Sequence, residues 1–277
     1  MSENIASRFA QHGIPAVCAL EHAGKRLFHI ETKGYLVYPW VEGTSLGRYD
    51  TSEPHALKIA ALLAKLQNIH LHVPEADPPR FDVYENDTIV SAIDKAESLS
   101  CPFAKALKEN QDLILSMNDR YHTVIPILKE DTVITHGDLD QLNVLWDKSG
   151  QPFLIDWEST RRMNQTRDII RTSLSWSCFN SMNSDDHSFS LYGTMLTTYH
   201  QACGMLNKNH IDAALNGVVG SLVFWMLYNI NIACTSSILE ERDIAVKEVN
   251  EVLSEFSRLN KCFPQLFLIS VAASCGK

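Results

Sequence analysis

Two short apolar strands separated by a polar turn constrain this chain more than any other segment. Val144-Leu145-Trp146 and Phe153-Leu154-Ile155 flank Asp147-Lys148-Ser149-Gly150-Gln151, a run of turn formers, so the pattern predicts a β-hairpin. Pairing through such a turn brings the far ends of the two strands together. Asn143 opens the first strand and Asp156 closes the second, which sets a carboxamide beside a carboxylate at the mouth of the hairpin. Upstream, the β-branched run Thr132-Val133-Ile134-Thr135 feeds His136-Gly137-Asp138, and that loop carries a second carboxylate to the same place. Metal-assisted phosphoryl transfer needs this set. One carboxylate orients and accepts the proton of an attacking hydroxyl, while an Asn oxygen and a second Asp hold hard cations against nucleotide phosphates.

The complete pattern, His136-Gly137-Asp138-x-x-x-x-Asn143 followed by Ile155-Asp156-Trp157-Glu158, resembles the catalytic core of the aminoglycoside phosphotransferase and choline kinase family, relatives of the protein kinases. The resemblance implies that Asp138 is the catalytic base and that Asn143 and Asp156 are Mg²⁺ ligands. It makes His136 the brace of the catalytic loop, and Asp168, in Arg167-Asp168-Ile169-Ile170, the residue that ties the loop down. Gly13-Ile14-Pro15-Ala16-Val17 and alternating segments near 26–31 and 35–41 look like the late N-lobe, and Tyr35 to Gly43 like the hinge. There Tyr38, Pro39 and Trp40 would form a purine slot for ATP or GTP, or their side chains would simply pack between lobes. His55 to His70 reads as an amphipathic helix, with Ala56, Ile59, Ala60, Leu63, Leu66 and Ile69 on helical spacing. The fold implied is α+β and protein-kinase-like: a small truncated antiparallel-sheet N-lobe over residues 1–43, then a larger, mainly helical C-lobe over 44–277.

The front of the chain departs from the family. Neither the phosphate-covering loop nor the strand-borne Lys expected before the helix at Ser2 to His12 is present in this sequence. Glu3 sits where the family places the helix Glu that pairs with that Lys, and Lys25 and Lys33 both fall after the helix. No Gly-rich anion loop appears. The sheet would then carry an unpaired edge, which a partner or second copy would cover. Two readings stay open: a kinase acting on a small molecule, and a catalytically impaired nucleotide-binding module. A metal-dependent hydrolase built on Asp138, Asp140 and Asp156 is a third, in which Asp140 would be more than a solvated loop acid.

Composition narrows the partners. With 277 residues, 45% of them hydrophobic, the chain can bury an ordinary core. A net charge of −9 argues against nucleic acid, whose backbone calls for clustered Lys and Arg; no basic run is longer than Arg161-Arg162. Seven scattered cysteines without Cys-x-x-Cys read as reduced thiols of a cytoplasmic protein, and no zinc pattern is present. The apolar window from Ala213 to Cys234 is interrupted by Asn216, Asn229 and Asn231, so it reads as a central helix rather than a membrane span. Two helices are expected after it, one over Leu239 to Leu259 and a short apolar one. The acceptor expected is a small hydroxyl compound, a metabolite or antibiotic, with or without an amine. The acidic clusters Ser184-Asp185-Asp186-His187 and Glu240-Glu241-Arg242-Asp243, or the rings of Trp157, Trp176 and Trp225, are candidates to receive a cation, against the ordinary alternatives of solvated helix starts and core packing.

Overall fold

The computed structural model describes residues 1–47, 50–73, 78–177 and 186–276. They group into two compact units, one of Met1–Pro79, Thr132–Leu206 and Ala273–Lys277, the other of Arg80–Asp131 and Asn207–Ala272. Packing therefore joins the segment 1–43 and the hairpin of residues 144–154 in one unit.

In the first unit, α1 (Ser2–Gln11) buries Ile5, Ala6 and Phe9 on one face. It stops at Gly13, whose left-handed φ of 77° costs glycine little. Its Phe9 stacks on Trp157, ring centroids 5.6 Å apart, so the helix is anchored beside the end of the hairpin. The chain then runs alongside that hairpin, with Val17 N–H donating to the Leu154 carbonyl at 2.8 Å and Leu154 N–H to Pro15 at 2.8 Å. Next, β1 (Leu27–Ile30) and β2 (Lys33–Leu36) form a small antiparallel pair whose residues are almost all exposed. The second strand ends at Leu36, earlier than the pattern up to residue 41 suggested. Pro39 has no N–H to give to a ladder, and the Val37 carbonyl is taken by Leu20 N–H at 2.7 Å.

The predicted hairpin is present. Strands β5 (Val144–Trp146) and β6 (Pro152–Leu154) pair antiparallel, with Val144 opposite Leu154. A two-residue strand that the sequence did not announce, β3 (Thr44–Ser45), adds to β5 on its other side. Likewise β4 (Thr132–Thr135) finds a partner in β7 (Arg161–Asn164), with Thr135 opposite Arg161. Helices α2 (Glu53–Asn68), α6 (Gln165–Trp176) and α7 (Asp186–Gln201) pack behind these strands. In α2 the predicted Ala56, Ile59, Ala60, Leu63 and Leu66 are buried, together with Ala64 and the polar Gln67, while Ile69 falls just beyond the helix and is half-buried.

The second unit is helical: α3 (Asn86–Ser98), α4 (Ala104–Glu109), α5 (Gln111–Leu128), α8 (Ile211–Thr235) and most of α9 (Leu239–Ser274). The long apolar helix α8 lies against α5, and Gly220 faces the ring of Tyr121, where any Cβ would collide. That close approach offsets the helix propensity lost at a glycine. Among the described residues, Lys208–Thr235 is the one helical stretch long and apolar enough to cross a membrane, and half of its most apolar window is buried inside the protein. The two helices expected after it are one. A single 36-residue helix runs from Leu239 through Pro264 to Ser274, its apolar face continuing with Leu259, Leu266 and Ala273 buried.

Candidate active site

The hairpin turn is locked by Asp147, whose Oδ1 accepts from Ser149 N–H at 2.8 Å, Ser149 Oγ at 2.7 Å and Gln151 N–H at 2.9 Å. At the open end, Ile155 N–H donates to the Asn143 carbonyl at 3.0 Å, so the chain is still paired one residue before Asp156. Asp156 itself takes the left-handed conformation, φ 58° and ψ 64°, and is exposed. For a non-glycine residue this costs about 1–2 kcal/mol, strain of the kind that sites able to bind or react store.

The loop after β4 turns on Gly137, with φ 83°. A Cβ there would run into the Ser159 carbonyl oxygen, so only glycine fits. His136 is buried and pairs its Nε2 with the Ile155 carbonyl at 2.9 Å, while its ring lies 4.6 Å from that of Trp157. Burial lowers its pKa, and Nδ1 has no partner for a second proton, so the ring is neutral with the proton on Nε2. Through that single bond His136 ties the catalytic loop to the residue preceding Asp156.

Both oxygens of Asp138 are engaged. Asn143 Nδ2 donates to Oδ2 at 3.1 Å and to the Asp138 carbonyl at 2.8 Å, which leaves the Asn143 carboxamide oxygen as the atom to offer a cation. Arg171 Nη2 donates to Oδ1 at 2.6 Å and its Nη1 to the Gly137 carbonyl at 2.8 Å. The loop is further fastened to α6 by Trp176 Nε1 on the Leu139 carbonyl at 2.9 Å and by Gln141 Nε2 on the Ser175 carbonyl at 2.9 Å. Asp140 turns back on its own loop, its Oδ1 accepting from Leu142 and Asn143 N–H at 3.0 and 3.3 Å. Burial, then the charge of Asp138, raises its pKa. Its geometry is that of a loop bracket.

Asp168, on α6 and almost fully buried, accepts at one oxygen from Thr135 Oγ1 at 2.5 Å and Gln67 Nε2 at 2.8 Å. The Tyr199 hydroxyl donates in turn to Gln67, and burial followed by the Asp168 charge pushes that phenol well above its ordinary range. One helix turn later stands Arg171. A single face of α6 thus grips the base of the loop with a carboxylate and its tip with a guanidinium. Sequence reasoning missed Arg171, Gln67 and Tyr199. A polar residue on the otherwise apolar face of α2 was the signal for Gln67, and the spacing of three from Asp168 was the signal for Arg171.

At the expected hinge, the Tyr38 hydroxyl donates to Glu3 Oε1 at 2.7 Å, while Glu3 Oε2 accepts from Ala19 N–H at 2.8 Å. Burial, then Glu3 and more weakly Asp156, push the Tyr38 phenol up, which places it within electrostatic reach of the Asp156 carboxylate. Trp40 is 85% exposed and bonded to Glu42 at 2.9 Å, so it is not packed between lobes. Among the described residues no backbone hydrogen bond engages Tyr38 or Trp40. Trp157 and Trp176 belong to the core, and Glu241 accepts from Ser236 at 2.6 Å at the start of α9, as a helix-start acid does. Of the other acidic cluster, Ser184 and Asp185 lie outside the described residues.

Residues 3–202 match the model of the phosphotransferase enzyme family. The chain belongs to this family. As a member it is a small-molecule phosphotransferase acting on a hydroxyl, in agreement with the resemblance read from the motifs. Solved structures show the same protein-kinase-like α+β fold. A spectinomycin phosphotransferase in complex with ADP and spectinomycin aligns at a TM-score of 0.68 and 12% identity, over 92% of this chain and 80% of that one. An aminoglycoside phosphotransferase from Alicyclobacillus acidocaldarius aligns at 0.63 and 14%, over 96% and 83%. A choline/ethanolamine kinase family protein from Mesorhizobium loti aligns at 0.57 and 15%, over 99% and 83%. A comparison with curated proteins finds no match.

Proposed function

We propose that this family member transfers the γ-phosphoryl group of ATP or GTP to a hydroxyl of a small, amine-bearing metabolite or antibiotic. The observation that carries the reading is the convergence of Asp138, Asn143 and the residue preceding Asp156 through the hydrogen bonds above. Asp138, its carboxylate fixed from both sides, orients the acceptor hydroxyl and takes its proton. Asn143 and Asp156 hold Mg²⁺. Among the described residues no group of three His, Cys, Asp or Glu side chains could hold a metal, and two oxygen ligands suit Mg²⁺, which keeps several waters and takes the rest of its shell from phosphates. When bound, the cation neutralises charge developing on the transferred group. The open backbone of Tyr38 to Trp40 suits the edge of a purine. Acceptors of the amine type are suggested by the spectinomycin and choline/ethanolamine kinase relatives.

One observation favours a second reading, a nucleotide-binding module with little turnover: both oxygens of Glu3 are already occupied by Tyr38 and Ala19. Calorimetric titration of Mg-ATP and Mg-GTP into the protein and into Asp156→Ala tests the site. Saturable binding lost in the variant supports it, and binding by neither protein overturns it. An acceptor screen with the nucleotide that binds then separates transferase from module.

A further inference from the structure

We infer that Cys101 and Cys234 form a modification site, a dithiol that a low-molecular-weight disulfide converts into an intramolecular disulfide. The two sulfurs lie 3.7 Å apart in hydrogen-bond contact, and both side chains are partly accessible. A bridge of about 2.05 Å needs a closure of only about 1.7 Å between the sulfurs.

The backbone presents this pair from two fixed helix ends. Helix α3 finishes in a Schellman motif: Ser100 adopts φ 53°, Ser100 N–H donates to the Glu97 carbonyl at 2.9 Å, and Cys101 N–H to the Ala96 carbonyl at 2.9 Å. The left-handed turn is built on serine rather than glycine, and it sets Cys101 immediately beyond the helix. Cys234 occupies the last turn of α8, held by the bond from Ser236 N–H to the Ile232 carbonyl at 2.9 Å. Helices α3 and α8 pack together in the same unit, so the thiols meet in the native state without rearrangement.

Burial, and then the contact with Cys101, push the Cys234 thiol up to about 11, and either sulfur can be the donor in the contact between them. Lys95 and Arg242 are the cations within electrostatic reach of the pair. With oxidised glutathione as the reagent, one thiolate of the pair, its proton lost to water, attacks one sulfur of the glutathione disulfide. A mixed disulfide forms and one glutathione thiolate leaves and is protonated by water. The other protein thiol loses its proton to water, and its thiolate attacks the protein sulfur of the mixed disulfide and expels the second glutathione, which is protonated in turn. Two protein thiols are oxidised and one disulfide is reduced to two thiols. The bridge joins residues 133 apart in sequence, so it restricts the unfolded chain and raises the unfolding midpoint by several degrees.

The test treats the native full-length protein with oxidised glutathione, blocks remaining thiols and maps peptides without reduction. A Cys101–Cys234 cross-linked peptide as the dominant product, reversed by dithiothreitol and accompanied by a higher unfolding midpoint, is the expected result. Cys262→Ser, in the same unit, should give the same cross-link, whereas Cys101→Ser should stop at glutathione adducts. Both cysteines remaining free, or carrying only separate glutathione adducts in the wild-type chain, would overturn the inference.

Discussion

Arg171 and Asp168 stand one turn apart on α6, yet replacing them should have opposite consequences. Arg171 makes two charge-assisted bonds, to Asp138 at 2.6 Å and to the Gly137 carbonyl at 2.8 Å. In a buried setting each would contribute about 1.5–3 kcal/mol. The ion pair, however, retains 29% and 35% of its side-chain exposure, and solvent screening reduces each bond to roughly 1 kcal/mol. Arg171→Met should therefore cost about 2 kcal/mol, roughly 30-fold in the folding equilibrium. Asp168 is 2% exposed, and Asp168→Ala strands the Thr135 hydroxyl and the Gln67 amide in the core, a loss of about 3–5 kcal/mol. Function should rank the other way among the molecules that remain folded. Arg171→Met frees the Asp138 carboxylate from one side, and misplacing a reacting group by about 1 Å costs on the order of 100-fold in turnover. Among the described residues Arg171 bonds to Gly137 and Asp138 rather than to Asn143 or Asp156, so Mg-ATP affinity should change only a few-fold. Urea unfolding followed by tryptophan fluorescence, calorimetry, and turnover with an acceptor that the wild type uses measure the three quantities. Arg171→Met that unfolds as easily as Asp168→Ala, or that turns over at the wild-type rate, would refute the reasoning.

Gly137→Ala should lower stability by about 2–3 kcal/mol, since alanine pays for the left-handed backbone and must push Ser159 away; hydrogen exchange of the loop amides would report it. Gly220→Ala should cost about 1–3 kcal/mol by overpacking Tyr121 and leave Mg-nucleotide affinity unchanged, because the catalytic residues lie in the other unit; a thermal melt beside a calorimetric titration checks both halves. His136 is held neutral by burial, its folded pKa below that of the unfolded chain, so the unfolded state binds more protons as pH falls. Its contribution is present above about pH 6.5 and is lost below it, at up to about 1.4 kcal/mol per pH unit. The unfolding midpoint of the wild type should thus fall between pH 7.5 and 5.5 more steeply than that of His136→Gln, which keeps a donor for the Ile155 carbonyl; parallel slopes would assign the pH dependence elsewhere. Asp156→Ala should abolish saturable Mg-nucleotide binding with little loss of stability, since the exposed carboxylate sits on a backbone strain that alanine also bears.

What the sequence disclosed and what it hid divide along a physical line. The hairpin from Asn143 to Asp156, the glycine end of α1 and the apolar face of α2 are written in neighbouring residues. Turn formers between β-branched runs and a 3.6-residue period need no distant partner to be read. The short strand β3 was invisible because two residues carry no period. The expected end of the first helix at Leu259 does not occur: the buried face of α9 continues past it and past Pro264, and the packing of Leu266 and Ala273 outweighs the hydrogen bond that the proline cannot make.

Asp168 was expected from the family resemblance as the tie of the loop, but its partners were hidden for a different reason. Gln67, Thr135, Asp168 and Tyr199 form one buried chain of hydrogen bonds assembled from α2, β4, α6 and α7, and no local pattern announces which buried polar groups will find one another. Their necessity can still be argued. A loop that must present Asp138 to solvent cannot be held by apolar packing on its open side, so its rigidity has to come from polar anchors on the side facing α6. Asp168 and Tyr199 through Gln67, together with Arg171 from the same helix, supply those anchors. The catalytic loop is thereby made an extension of α6, and the positions that decide how well Asp138 is aimed lie on a helix whose sequence carries no part of the His-Gly-Asp motif.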